Sequence, residues 1–139
     1  MVSIVDKVSG ILLRPTETFR QLREESLRDA FLHYGILLII YALLSSLFLV
    51  TGLLFILSWF PMIPRSLLLP FLFFPFLVVG MLFFFLIGLI IGGAILHLFV
   101  YLVGGRKGVE QTLKAVMYST TPVFIFGWIP VIGFFALIY

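Results

Sequence analysis

Residues 31–58 read FLHYGILLIIYALLSSLFLVTGLLFILS, a stretch without a single formal charge. A helix needs roughly 20 consecutive apolar residues to cross a bilayer, and this stretch is longer than that. Two more uncharged runs follow, 66–103 and 115–139. Lipid leaves backbone N–H and C=O groups only two solutions, the helix and the closed β-barrel. A barrel strand is a segment of about 10 residues with alternating polarity. Here the apolar residues stand in unbroken blocks such as Ile36–Ile40 and Phe83–Leu86. The fold class read from these blocks is all-α. It is a polytopic transmembrane helical bundle of three to four spanning helices, with an amphipathic interfacial segment at the N-terminus.

Composition points the same way. Hydrophobic residues make up 63% of the 139 and charged residues 11%. A soluble domain sits near 45–50% and about 25%, so this chain in water would expose large apolar patches. Ten of the fifteen charged side chains lie in the first 29 residues, five basic and five acidic. That balance excludes a nucleic-acid-binding arm. The absence of cysteine excludes disulfide and thiolate chemistry. The first apolar run is too long, and too far from the start, for a cleaved signal peptide.

Working outward from 31–58, residues 1–26 form an amphipathic cytoplasmic or interfacial segment and 27–139 a transmembrane domain. Ile4, Val5, Val8, Ile11 and Leu12 recur at helical spacing, as expected of a helix lying along a membrane surface. Pro15 interrupts it. A second turn follows with Phe19 and Leu22 on one face, and with Arg20, Arg23, Glu24 and Glu25 expected to face water. Ser26 and Asp29 have capping-box spacing, which predicts the first spanning helix over about 27–59. Pro61 and Pro64 make a turn. Pro70 and Pro75 predict an irregular lead-in over 66–75 and a second helix over 76–103. Further helices are predicted over 109–127 and, incompletely, 130–139, with kinks at Pro122 and Pro130. Ten residues are about 15 Å of helix, half a crossing, so the natural chain is expected to continue beyond Tyr139.

The basic residues set the expected orientation. With the N-terminus in the cytoplasm, eight of nine fall inside and only Arg65 outside, as the positive-inside rule requires. Trp59 and Trp128 then both fall at the outer interface.

Several motifs have an ordinary and a sharper reading. Gly88 and Gly92 form GxxxG, and Ala42/Ser46 and Ala115/Ser119 repeat small-xxx-small spacing, which lets helices approach closely. Packing within one protomer is the ordinary reading and a homo-oligomer or other transmembrane partner the sharper one. His33 and His97 are the only histidines. Near helix ends they are expected to hydrogen-bond a neighbour; ligation of haem or chlorophyll is the alternative. Without nearby carboxylates or cysteines they make no zinc site. Gly104, Gly105, Arg106, Lys107 and Gly108 read as a tight turn with cationic anchors, able to touch anionic lipid head groups. Without Walker spacing they are not a phosphate loop. Tyr118, Ser119, Thr120 and Thr121 precede Pro122, where hydroxyls can satisfy carbonyls freed by a proline. Glu110 and Lys114 form an i,i+4 pair. No catalytic set converges and no cofactor is predicted.

Five strings together resemble the Yip family, membrane proteins named for interaction with Ypt/Rab GTPases. They are Leu13-Arg14-Pro15-Thr16-Glu17-Thr18-Phe19-Arg20; His97 through Gly108; Gln111-Thr112-Leu113; Tyr118-Ser119-Thr120-Thr121-Pro122; and Trp128-Ile129-Pro130-Val131-Ile132-Gly133. Their order and spacing follow the family over residues 11 to 133. The chain departs from it by stopping inside what would be a fourth of about five helices, and by lacking a long soluble N-terminal extension. The resemblance implies a compact, prokaryotic-like, non-enzymatic integral membrane protein, acting in membrane organisation or as a partner-binding scaffold. Its partners would be membrane lipids and other transmembrane proteins or a homo-oligomer, with no nucleic acid. The alternatives are an accessory transmembrane subunit of a redox or photosynthetic complex, and a small transporter or channel.

Overall fold

Ser3 and Ser26 each stand three residues before an aspartate, and each opens a helix. In the computed structural model each serine Oγ accepts from the aspartate N–H at 3.1 Å and donates to the aspartate carboxylate at 2.7 Å. Free N–H groups at a helix start are satisfied this way, and the aspartate suits the positive end of the helix dipole. The structure describes residues 3–59, 68–106 and 108–129, together with positions 132, 133, 135 and 138.

Helix α1 (Ile4–Leu13) and helix α2 (Pro15–Leu22) are separated by Arg14, whose extended backbone lets Pro15 begin the next helix. Proline is tolerated there because its missing N–H would have no partner. Helix α3 (Leu27–Ser58) starts from Ser26 and ends at Trp59. Helix α4 (Leu68–Leu102) carries Pro75 inside it. The irregular lead-in expected over 66–75 is therefore helical from Leu68. Pro70 falls in the first turn, where no hydrogen bond is lost, and Pro75 interrupts the ladder without ending a strongly apolar helix.

Residues 109–127 were expected as one helix and form two, α5 (Gly108–Ser119) and α6 (Thr121–Phe126). Pro122 cannot continue α5, because its ring would clash with a carbonyl one turn back. The chain restarts with Pro122 in the first turn of α6. Ser119 Oγ donates to Val116 O, and Thr120 Oγ1 to Met117 O, both at 2.9 Å. Four positions of the expected last helix are described, all helical; Pro130 lies outside the described residues.

The described residues contain helices and their connections and no strand. Two helices, α3 and residues 71–102 of α4, are long and apolar enough to cross a bilayer. They run antiparallel. Tyr34 donates its hydroxyl to Phe85 O at 2.9 Å, and Ser46 lies 3.9 Å from Met81 Sδ further along. Helix α6 packs into the angle between them. Tyr34, Tyr41 and Phe85 each hold the Phe124 ring, at centroid distances of 5.1, 5.4 and 5.3 Å. Such tilted and edge-on pairs add to the area they bury.

This packing also places the end of α6 along α3. Gly127 lies against the Tyr41 ring, and Tyr41 is about 27 Å of helix away from Trp59. Trp128 follows directly, its Nε1 donating to Ile125 O at 2.9 Å. Helix α6 thus ends beside the middle of α3, well short of Trp59.

Candidate functional site

Helix α1 presents Ile4, Lys7 and Ile11 along one face, and Lys7 and Ile11 are buried. A lysine in an apolar stripe needs a partner. Lys7 Nζ reaches Glu25 Oε2 at 2.6 Å, with the two side chains 7% and 19% exposed. The same oxygen accepts from Tyr118 Oη at 2.5 Å, and Lys7 Nζ stands 5.8 Å from the centre of the Tyr118 ring. One carboxylate thus joins α1, the α2–α3 connection and α5. Glu25 was expected to face water; it is instead partly buried, because Lys7 and Tyr118 close over it.

Lys114, also buried, secures the same connection from the other side. Its ammonium donates to Arg23 O at 3.0 Å and Glu25 O at 2.8 Å, and reaches Glu110 at 3.4 Å. Carbonyls at the end of a helix such as α2 are unsatisfied and form the negative end of its dipole. An ammonium there supplies both the missing donors and the opposing charge. Phe19 and Leu22 of α2 pack against the core beside it.

The histidines fall apart into two separate pairs. His33 Nε2 is 3.0 Å from Thr121 Oγ1, and its ring lies 5.2 Å from that of Tyr118. His97 Nδ1 is 3.1 Å from Thr112 Oγ1. Each ties a spanning helix to the α5–α6 segment.

The small-residue motifs also separate. Ala42 and Ser46 are fully buried on α3. Gly88 and Gly92 are exposed, and a Cβ at either would meet nothing; their neighbour Gly93 is the one buried, against Leu113. Ala115 and Ser119 are exposed. In the 104–108 turn, Gly104 and Gly108 have φ of +91° and +83°, which suits glycine. The Gly104 and Gly105 amides donate back to Tyr101 O and Val100 O at 3.0 and 2.8 Å. They cap α4 and leave a phosphate nothing to bind at those two positions. Arg106 is exposed beside them, and Lys107 lies outside the described residues.

Residues 9–139, nearly the whole chain, match the sequence model of the Yip1 domain. The chain belongs to the Yip1 domain family. No curated protein and no solved structure matches it significantly. It is thus a membrane protein of the Yip kind, with two helices able to span. Glu25, Lys114 and Tyr118 lie within the residues that match the Yip1 domain, and Lys7 lies just before them.

Sequence reading marked Lys114 for its pair with Glu110 and as one of the cytoplasmic cations, and Tyr118 as one of four polar residues before Pro122 and part of a Yip-like string. It missed the three-way contact at Glu25. The available signal was Lys7 itself, a charge standing at helical spacing between Ile4 and Ile11.

Proposed function

We propose that this Yip1-domain protein is a non-enzymatic membrane scaffold that captures a protein partner through α1 and α2 at the cytoplasmic face. The observation that carries the reading is the buried junction of Lys7, Glu25, Tyr118 and Lys114. A short amphipathic helix held only by its apolar face can slide and turn on a membrane. Two buried ammonium groups fix α1 and α2 to the bundle instead. The exposed side chains of α1, α2 and the turn after them, including Asp6, Glu17, Arg20 and Glu24, then form a preorganised charged surface, which lowers the ordering cost of binding. The family is not known as enzymatic. The cytoplasmic assignment is supported by the eight basic residues that gather on the N-terminal side of the spans.

A cysteine-free chain makes the test clean. A single cysteine replacing Glu17 is labelled with a membrane-impermeant photo-cross-linker. Labelling is expected in inverted vesicles and not in intact cells, with one protein captured in near-stoichiometric yield. Adding Arg20→Glu and Glu24→Lys should lower that capture at least tenfold. Labelling from the outside overturns the orientation, and capture indifferent to the charge reversals overturns the platform.

A second reading has its own observation. Only 6% of an 18-residue apolar window of α4 is buried within the chain, and Gly88 and Gly92 open outward. That face suits a transmembrane partner, as an accessory subunit of a larger complex would have. Native mass spectrometry from nanodiscs decides it, and a lone monomer would retire it.

A further inference from the structure

Between α1 and the first turns of α3 lies a cavity of about 440 Å³. That is within the usual range for small-ligand pockets, roughly 300–1,000 Å³. Toward the start of α3 its wall is polar, formed by Lys7, Glu25 and Asp29, with His33 one turn deeper. Beyond that the wall is apolar, formed by Ile4, Leu32 and Ile36. Leu32 and Ile36 remain exposed at the outer side of α3, so the cavity opens toward the membrane.

The polar wall has more acceptors than donors. Lys7 is engaged by Glu25. Asp29 accepts from Ser26 Oγ and meets no basic side chain among the described residues. His33 is 1% exposed, and its Nδ1 has no hydrogen-bond partner. The two nitrogen directions of an imidazole diverge widely, so Nδ1 faces away from Thr121, which holds Nε2. With Nε2–H donating to Thr121, Nδ1 is an acceptor. The wall therefore carries a net negative charge and a buried imidazole nitrogen without a partner.

We propose that this cavity binds an aminophospholipid, with phosphatidylethanolamine as the class that fits. A primary ammonium is donor-only and carries three N–H groups. It can serve the Asp29 and Glu25 carboxylates, and His33 Nδ1 in the tautomer that leaves that nitrogen unprotonated. The quaternary ammonium of a choline lipid has no N–H to offer. A phosphatidylglycerol head adds negative charge to a wall that already has it. The phosphate of the aminophospholipid stands toward Lys7, and an acyl chain runs along Ile4, Leu32 and Ile36 to the bilayer. The lipid would fill the gap beneath α1. This site is separate from the outward charged surface of α1 and α2 and does not depend on partner capture there.

The test uses native mass spectrometry of the full chain released from nanodiscs that hold equal amounts of phosphatidylethanolamine, phosphatidylcholine and phosphatidylglycerol with identical acyl chains. One phosphatidylethanolamine per chain is expected to be retained, about tenfold over phosphatidylcholine, the size of one charge-assisted hydrogen-bond set. Asp29→Asn keeps an oxygen for the Ser26 contact and should bring retention down to the phosphatidylcholine level. Ile36→Trp, at a lipid-facing position, should block the apolar arm and lower retention of the bound lipid without changing the thermal melt. Equal retention of the three lipids by the unmodified chain overturns the proposal. So does a preference for phosphatidylglycerol, or phosphatidylethanolamine retention unchanged in both variants.

Discussion

Helices α3 and α4 are nearly interchangeable by composition and play opposite parts in the structure. Each contains an 18-residue window apolar enough to span, of mean hydropathy 2.5 in α3 and 2.8 in α4. Yet 33% of the α3 window is buried inside the chain and only 6% of the α4 window. The difference follows the polar side chains. Helix α3 carries His33, Tyr34 and Ser46, all buried and each with a hydrogen-bonding neighbour. In a bilayer, polar atoms must find partners within protein, so the helix that carries them is drawn to the centre. The stretch of α4 from Phe71 to Ile95 has no polar side chain. Lipid satisfies it as well as protein does, since lipid tails are as apolar as leucine. Hydropathy thus identifies both as spans and is silent on which one organises the bundle.

The sharpest way to break this comparison is to truncate one ring of α6 that packs mainly on α3 and one ring that α4 turns outward. Phe124 is wedged between Tyr34 and Tyr41 of α3 and Phe85 of α4, and is 1% exposed. Phe124→Ala should cost about 3–5 kcal/mol. Phe84, adjacent to Phe85 but turned outward and 72% exposed, should change stability by less than about 0.5 kcal/mol when replaced by alanine. Thermal melts in one detergent compare the two, and equal losses would show that α4 is as much core as α3.

A smaller effect is expected where α3 begins. Tyr118→Phe removes one of the two donors to Glu25 Oε2 and keeps the ring. A hydrogen bond to a charged group contributes roughly 1.5–3 kcal/mol. The expected reading is a lower melting temperature and faster proteolysis within 3–25, with the cleavage pattern of α4 unchanged. Protection of that segment equal to the unmodified protein would mean that Lys7 and Lys114 hold it unaided.

The smallest pair places leucine in each small-residue motif. Ala42→Leu overpacks a fully buried site and should cost about 1–3 kcal/mol. Gly88→Leu points into open space and should leave the melt of the monomer where it is. A change in mass on native mass spectrometry for Gly88→Leu alone would identify the α4 face as an interface between transmembrane helices.

Much of the fold was legible from residue order. The Ser26–Asp29 spacing located the start of α3 to the residue, and the start of α5 was expected within one residue of Gly108. The Glu110–Lys114 pair was also visible. The start of α4 was not, because a proline forbids a helix only where an N–H is needed, and local sequence does not show whether the first turn lies at that point. The division between α5 and α6 was foreshadowed by Pro122, but the break itself fell at Thr120, where side-chain hydroxyls could take up the hydrogen bonding of the end of α5.

Sequence alone determined that this chain is a helical membrane protein. Transfer of backbone and side chains into lipid depends on length and polarity, and both can be read one residue at a time. Tertiary structure alone decided what Lys7, Glu25, Lys114 and Tyr118 do. The partners of Glu25 stand 18 positions before it and 93 after it in the chain. A charge becomes a structural bond only when burial removes competing water and brings its partner within about 3 Å. No local pattern encodes that meeting. It arises because α5 returns to the start of α3 and closes over the carboxylate.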